Sequence, residues 1–265
     1  MLKKAAACLL VCGGMASWIS CSSSTSNRYL YAAIPGSNEI VAYREDPNAG
    51  VLTQLVGSPI TAGQSVQGLA IHPSNKYLYA TNAGNNNVSL FDIAASGALT
   101  EVTPRANAGT GPTVLAMDPA GQFLYVGNPG SFDLTVFSIG STGALTQVGQ
   151  NIPLGISPLN MAVSPKGNFL YVTGGGNPGT IEVFSTNQGT LTQLSSSPYA
   201  TGNDPSGLVI SPSGGFLYTA NKLDSTISEF TVNSDGSLTP IAGSPIGLTA
   251  TGPVALLIEN SGQYL

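Results

Sequence analysis

Cysteine is missing from everything beyond residue 21: Cys8, Cys12 and Cys21 all lie at the N-terminus. No disulfide can staple the body of the chain, so its stability must come from packing. Charge is scarce too, at 8% of residues against about a quarter in an ordinary globular domain. That shortage argues against helices built on Glu and Lys at helical spacing. Basic residues are the scarcer sign, 8 Lys and Arg against 13 Asp and Glu, and they form no cluster. Nucleic-acid binding by counterion release therefore has no footprint here. His72 is the only histidine, so no pair of imidazoles exists for catalysis or for a metal. What abounds is glycine (33) and proline (18), within a chain of 265 residues that is 42% hydrophobic. This balance suits short strands joined by tight turns, with enough apolar material for a sizeable core.

The first 21 residues, "MLKKAAACLLVCGGMASWISC", read as an export leader. Lys3 and Lys4 precede a short apolar run, which is too short for a comfortable membrane span, and small residues lead to Cys21. The end, Trp18-Ile19-Ser20-Cys21, resembles the bacterial lipobox, although Trp18 stands where leucine is usual. That resemblance implies lipid attachment at Cys21, with residues 22–27, "SSSTSN", as a flexible tether. The competing reading is an ordinary secretory leader cut nearby. Removing Lys3 and Lys4 leaves six basic side chains against thirteen acidic ones, a net charge of −7, which disfavours anionic partners on average.

From residue 28 onward the chain repeats itself. Aromatic-Leu-Tyr triplets centre on Leu30, Leu78, Leu124, Leu170 and Leu217, at spacings of 48, 46, 46 and 47, and a sixth begins at Tyr264-Leu265. A period near 45 built only from strand-like pieces predicts propeller blades. The expected units are 28–76, 77–122, 123–168, 169–215 and 216–263, within one all-β domain over 28–265. Each should be a four-stranded antiparallel blade. Strand a is "GLAIHP", "VLAMDP", "NMAVSP", "GLVISP" or "ALLIEN"; strand b is the triplet and its tail. Strand c is "EIVAY", "NVSLF", "DLTVF", "TIEVF" or "TISEF", and strand d is short, as in "ALTQV". Two aromatic columns result, Tyr43/Phe91/Phe137/Phe184/Phe230 and Tyr31/Tyr79/Tyr125/Tyr171/Tyr218, both expected where neighbouring sheets stack. The renewed triplet at the C-terminus is best read as a chain that stops inside a further blade, and such an arc would be prone to aggregate. A ring of five units closed by "ALLIEN" against residues 28–56 is the alternative.

Units of the form "PSGxFLYVxN … VxVF … GxLTxV" resemble the seven-bladed lactonase-like propellers that include 6-phosphogluconolactonase. The segments "YATN" (79–82) and "YVTG" (171–174) are also similar to the YVTN-repeat propellers of cell-surface proteins. The resemblance spans residues 28–265 and rests on blade-building residues. It implies seven blades, of which about five are visible here, and, for the enzymes of the family, hydrolysis of a sugar lactone.

Blade topology gathers the b–c and d–a loops on one face, where propellers of this kind bind their ligands (by analogy of fold). His72 falls in an a–b turn on the other face, in a column with Asp118, Ser164, Ser211 and Glu259. It is expected to be a solvated turn residue. No G-x-S-x-G occurs, so a serine–histidine–acid triad has no obvious nucleophile. "NSDGSL" (233–238) lacks the later carboxylates of a calcium loop, and "GGGNPG" (174–179) lacks the lysine and helix of a phosphate cradle. No metal or cofactor is expected. The ligand-face candidates are Asn82, Asn128, Asn177, Asn221, Lys222 and Arg105, and Asp133, Asp204 and Asp224 are the candidate general bases for opening a lactone. The leading functional expectation is an exported, membrane-tethered binding module at the periplasmic or outer surface of a bacterial envelope. Its partner would be a small molecule, a glycan or an envelope protein, with no nucleic acid. A lactone hydrolase is the alternative.

Overall fold

A computed structural model describes residues 19–23, 28–259, 262 and 264–265. The leader through Trp18 and residues 24–27 of the expected tether lie outside the described residues. None of the described residues is helical. The chain divides into two compact units, one over Ser17–Ser157 and one over Pro158–Leu265.

The first unit holds three antiparallel sheets. Sheet 1 is β1 (Ile19–Ser23), β2 (Arg28–Ile34), β3 (Glu39–Glu45), β4 (Leu52–Gln54) and β5 (Ile60–Thr61). Sheet 2 is β6 (Val66–Ile71), β7 (Tyr77–Asn82), β8 (Asn87–Ile93) and β9 (Leu99–Asn107). Sheet 3 is β10 (Val114–Met117), β11 (Phe123–Asn128), β12 (Asp133–Ile139), β13 (Leu145–Gln147) and β14 (Ile152–Pro153). The second unit holds sheet 4 and sheet 5. Sheet 4 is β15 (Pro158–Val163), β16 (Phe169–Gly174), β17 (Thr180–Asn187), β18 (Thr190–Gln193) and β19 (Tyr199–Ala200). Sheet 5 is β20 (Pro205–Ile210), β21 (Phe216–Asn221), β22 (Thr226–Val232), β23 (Leu238–Pro240) and β24 (Ile246–Gly247).

Strands a, b and c match the expected segments in sheets 2 to 5. Strand d differs. In four sheets it is broken, and both pieces pair with strand c: β4 and β5 on β3, β13 and β14 on β12, β18 and β19 on β17, β23 and β24 on β22. The interruption leaves c-strand amides without a ladder partner, and a buried donor must be satisfied. Serine does this: the amides of Ala42, Val183 and Glu229 donate to Ser58, Ser197 and Ser244 Oγ at 2.8, 3.0 and 2.8 Å. In sheet 2 the strand is continuous but slips register between Val88 and Leu90.

The aromatic-Leu-Tyr triplet has three separate jobs. Its first ring covers a turn glycine of the next sheet: a Cβ at Gly97, Gly143 or Gly236 would collide with the ring of Tyr29, Tyr77 or Phe169. Those glycines also have φ of +82°, +78° and +83°, which a Cβ would resist. The third residue donates its phenol to the same turn: Tyr31 to Gly97 O (2.8 Å), Tyr79 to Gly143 O (2.8 Å) and Tyr171 to Gly236 O (3.1 Å). The central leucine points the opposite way, beside the c-strand phenylalanine with which it is registered, as Leu78 is with Phe91. Within each unit the packed sheets thus set the tyrosine face of one against the Leu/Phe face of the next. Sheets 2 and 3 join through Tyr79, Val88 and Leu90 against Leu124, Val126 and Phe137. Sheets 4 and 5 join through Tyr171, Ile181 and Val183 against Leu208, Leu217 and Phe230. Phe91, Phe137, Phe184 and Phe230 are all buried, whereas Tyr43 and Tyr218 are partly exposed.

Residues 255–259 of "ALLIEN" (255–260), expected as a fifth strand a, form no ladder, and Asn260 lies outside the described residues. Their backbone instead runs beside Gly207 of β20, where a Cβ would meet Ala255 Cα and Leu256 N at 3.2 Å. The turn that follows keeps the repeat pattern: Glu259 N donates to Tyr264 O and Gly262 N to Glu259 O, as Ser211 N does to Phe216 O and Gly214 N to Ser211 O. The edge strand of sheet 1 next to β2 is β1, paired from Ile19↔Ala32 to Ser23↔Arg28, with Cys21 opposite Leu30.

Candidate functional site

The b–c loops share a four-residue design in sheets 1, 2, 3 and 5, over 35–38, 83–86, 129–132 and 222–225. The last residue of each loop is left-handed: Asn38 (φ 61°), Asn86 (55°), Phe132 (56°) and Ser225 (55°). That conformation turns the chain into strand c, and Asn tolerates it better than any other residue with a Cβ. In three sheets the side chain there also accepts a hydrogen bond from the neighbouring d–a loop. Asn38 Oδ1 takes Ser65 N at 2.6 Å, Asn86 Oδ1 takes Gly111 N at 2.8 Å and Ser225 Oγ takes Gly252 N at 3.3 Å. Phe132 cannot do this, and its ring is 54% exposed.

Asn82, Asn128 and Asn221, expected on the ligand face, are wholly buried. Each closes strand b onto strand c. Asn82 Nδ2 donates to Asn87 Oδ1 and Ser89 Oγ (2.8 and 2.9 Å), and Asn221 Nδ2 to Thr226 Oγ1 and Ser228 Oγ (2.9 and 2.8 Å). Asn128 Nδ2 donates to Asp133 Oδ1 (2.7 Å) and Thr135 Oγ1 (2.9 Å). Asn82 Oδ1 accepts from Gly63 N at 3.1 Å, while Asn128 Oδ1 is buried with no hydrogen-bond partner. In sheet 4 the pair is replaced by Gly174 and Glu182, the latter only 4% exposed and accepting from Gln193 Nε2 at 3.3 Å.

The three candidate bases lie in different settings. Asp133, partly exposed, opens β12 and is aimed by two amides, Asn128 Nδ2 on one oxygen and Asn151 Nδ2 (3.2 Å) on the other. Asp224 is exposed and grips the d–a loop, accepting from Asn203 N (2.7 Å) and Asn203 Nδ2 (2.8 Å). Asp204 is left-handed (φ 52°), gives its carbonyl to Lys222 N at 2.9 Å, and has its carboxylate 3.9 Å from Lys222 Nζ. The structure therefore brings Asp133 to Asn128 and Asp204 to Lys222. Asn177 is exposed in the 175–179 loop. Arg105 does not lie on a loop: it sits within β9, held in a two-point pair by Glu101 at 2.7 and 3.1 Å.

His72 is a turn residue, though a fixed one. Its Nδ1 accepts from Ser74 N (3.1 Å), which leaves Nε2 to donate to Gly121 O (3.0 Å) in the turn of sheet 3. The column it shares is not solvated as expected: Asp118, Ser164 and Ser211 are buried. They cap the turn, accepting from Phe123 N, Phe169 N and Phe216 N at 2.6 to 3.1 Å. Asp235 of "NSDGSL" bonds only within its own hairpin, to Ser237 N and Oγ, and these hold its carboxyl below the usual carboxylate range. Among the described residues no group of three or more His, Cys, Asp or Glu is placed to hold a metal ion.

Antiparallel sheets of four or five strands, packed within each unit through repeated aromatic ranks and with b–c and d–a loops joined by hydrogen bonds, are the make-up of a β-propeller. The chain belongs to the family described as Lactonase, 7-bladed beta-propeller, which matches residues 23–158 and 153–265. Among solved structures it is similar to a candidate 6-phosphogluconolactonase of Bacteroides uniformis (20% identity, TM-score 0.77, 88% of this chain and 71% of that one). A second, from Bacteroides fragilis, gives 23% identity, TM-score 0.76 and coverage of 89% and 71%. The periplasmic gluconolactonase PpgL of Pseudomonas aeruginosa gives 19%, 0.61 and 86% of both chains. At these identities the likeness is one of fold. No curated protein matches the chain.

Proposed function

We propose that this chain is a lactone hydrolase, a carboxylic-ester hydrolase that opens a cyclic sugar ester to the free hydroxy acid. The observation that carries the reading is the lactonase family match from residue 23 to residue 265. The neighbours described as gluconolactonases support it at the level of fold. In such a reaction water adds to the ring carbonyl, the ring C–O bond breaks, and the water's proton must be taken up. Asp133 is the best placed of the three candidates to receive that proton. It is partly exposed, and two amides orient it while a carboxylate's remaining lone pairs stay available. Asp224 and Asp204 are committed to loop closure and to Lys222.

A second reading, a binding propeller without turnover, is favoured by the same hydrogen bonds, since all three carboxylates help build the loops. One assay separates the two: hydrolysis of a panel of lactones by the full-length protein and by D133N, D204N and D224N. Turnover lost in D133N alone fits the hydrolase; background rates in every protein leave the binding module.

The leader implies export, and the lipobox-like end implies tethering through Cys21 to a bacterial envelope. Cys21→Ser should release the protein from the membrane fraction. Retention of that variant would refute the lipid anchor.

A further inference from the structure

Phe132 breaks the repeat in three ways at once. Its counterparts Asn38, Asn86 and Ser225 are small or polar, accept a hydrogen bond from the adjoining loop, and suit or tolerate a left-handed backbone. Phe132 holds φ at 56° with a bulky side chain, which the backbone disfavours. It accepts no bond through that side chain and leaves an apolar ring 54% exposed. Packing does not explain the residue, because a ring serving the core would be buried. Residues kept in an unfavourable backbone conformation with no folding benefit cluster at ligand sites.

The neighbours of Phe132 are polar in a particular way. Asp133 follows it, oriented by Asn128 and Asn151. Ser131 precedes it, with Oγ accepting from Thr110 N at 2.9 Å and its own proton free to donate. The two side chains that flank Phe132 in sequence, and the groups they bond to, are carboxylate, amide or hydroxyl. No lysine or arginine occurs in the 129–132 loop or in residues 108–113, which bond to it through Thr110, and Arg105 of β9 is paired with Glu101. A ring carrying hydroxyl groups on its edge and C–H groups on its face meets both halves of this surface. A phosphorylated one meets the Asp133 carboxylate with no compensating cation.

We infer that Phe132 is a stacking platform for an uncharged polyhydroxylated ring, with Asp133 and Ser131 reading its hydroxyl edge. This rests on the proposed lactone hydrolase and narrows its substrate class to sugar lactones without a phosphate.

The test uses the full-length chain, F132N and F132Y, with 1,5-anhydroglucitol as a non-hydrolysable ring, its 6-phosphate as the charged counterpart, and glucono-1,5-lactone for turnover. Saturation-transfer NMR on the wild type should mark one face of the anhydroglucitol ring, with at least tenfold weaker binding of the phosphate. F132N restores the residue of the sister loops, so it should unfold at a higher urea midpoint yet bind the ring about tenfold less tightly. F132Y should bind like the wild type. Unchanged ring affinity in F132N, a lower urea midpoint for that variant, or tighter binding of the phosphate would each overturn the platform. If F132N loses ring binding while no variant or wild type turns over lactone, the platform stands and the hydrolase reading falls. If turnover is robust and F132N leaves both KM and ring binding unchanged, the hydrolase stands and the platform falls.

Discussion

The phenol of Tyr79 donates a 2.8 Å hydrogen bond to the carbonyl of Gly143, in the c–d turn of the next sheet. Both groups are shielded from water, so removing the donor strands a buried acceptor. Tyr79→Phe should therefore destabilise the protein by about 1–2 kcal/mol in a urea titration. Gly143→Ala should cost at least about 1 kcal/mol, because φ is +78° and the Tyr77 ring occupies the space a Cβ needs.

Phe137 is 2% exposed and lies among Tyr79, Val88, Leu90, Leu124 and Val126. Truncating it removes its transfer energy and leaves a cavity, so Phe137→Ala should lose about 3–5 kcal/mol. A loss below about 1 kcal/mol would mean that the ring is not at the sheet interface.

The tyrosine rank also sets an alkaline limit. Burial pushes the phenols of Tyr79 and Tyr171 well above the ordinary tyrosine value. In the unfolded chain they ionise near pH ~10, whereas the native state keeps them protonated. Their contribution is complete below that pH and is lost as pH rises above it, because the unfolded chain releases protons the native one retains. Urea midpoints should hold between pH 8 and 9.5 and fall between pH 10 and 11.5. The Y79F/Y171F double variant should show a shallower fall; identical slopes would contradict the assignment.

Strands b and c were legible in the sequence because each carries a period-2 apolar pattern and an aromatic at a fixed place. The broken strand d was not. "SPI" and "SPY" are two-residue ladders after a proline, too short for any periodic signal, and the serine that repairs the ladder looks like a turn residue. "ALLIEN" reads as a strand, yet residues 255–259 form no strand ladder, since apolar character alone does not set a register. At the loops, the sequence separated polar from apolar but not buried from exposed. Asn82, Asn128 and Asn221 look like a ligand surface, and they turn out to be internal braces. Phe132 and Glu182 were overlooked for the opposite reason: each is ordinary in isolation and stands out only against its column of sister residues.

The central claim is that, within each unit, neighbouring sheets lean on one another through the tyrosine of one and the c-strand phenylalanine of the other. A double-mutant cycle tests it most directly, pairing Tyr79→Leu with Phe137→Leu and, as a control, Tyr79→Leu with Phe230→Leu. Tyr79 and Phe137 share one cluster and Phe230 belongs to another. The account predicts a coupling of about 0.5–3 kcal/mol for the first pair and additivity within about 0.5 kcal/mol for the second. Additive losses for Tyr79 with Phe137, or equal coupling in both cycles, would contradict it.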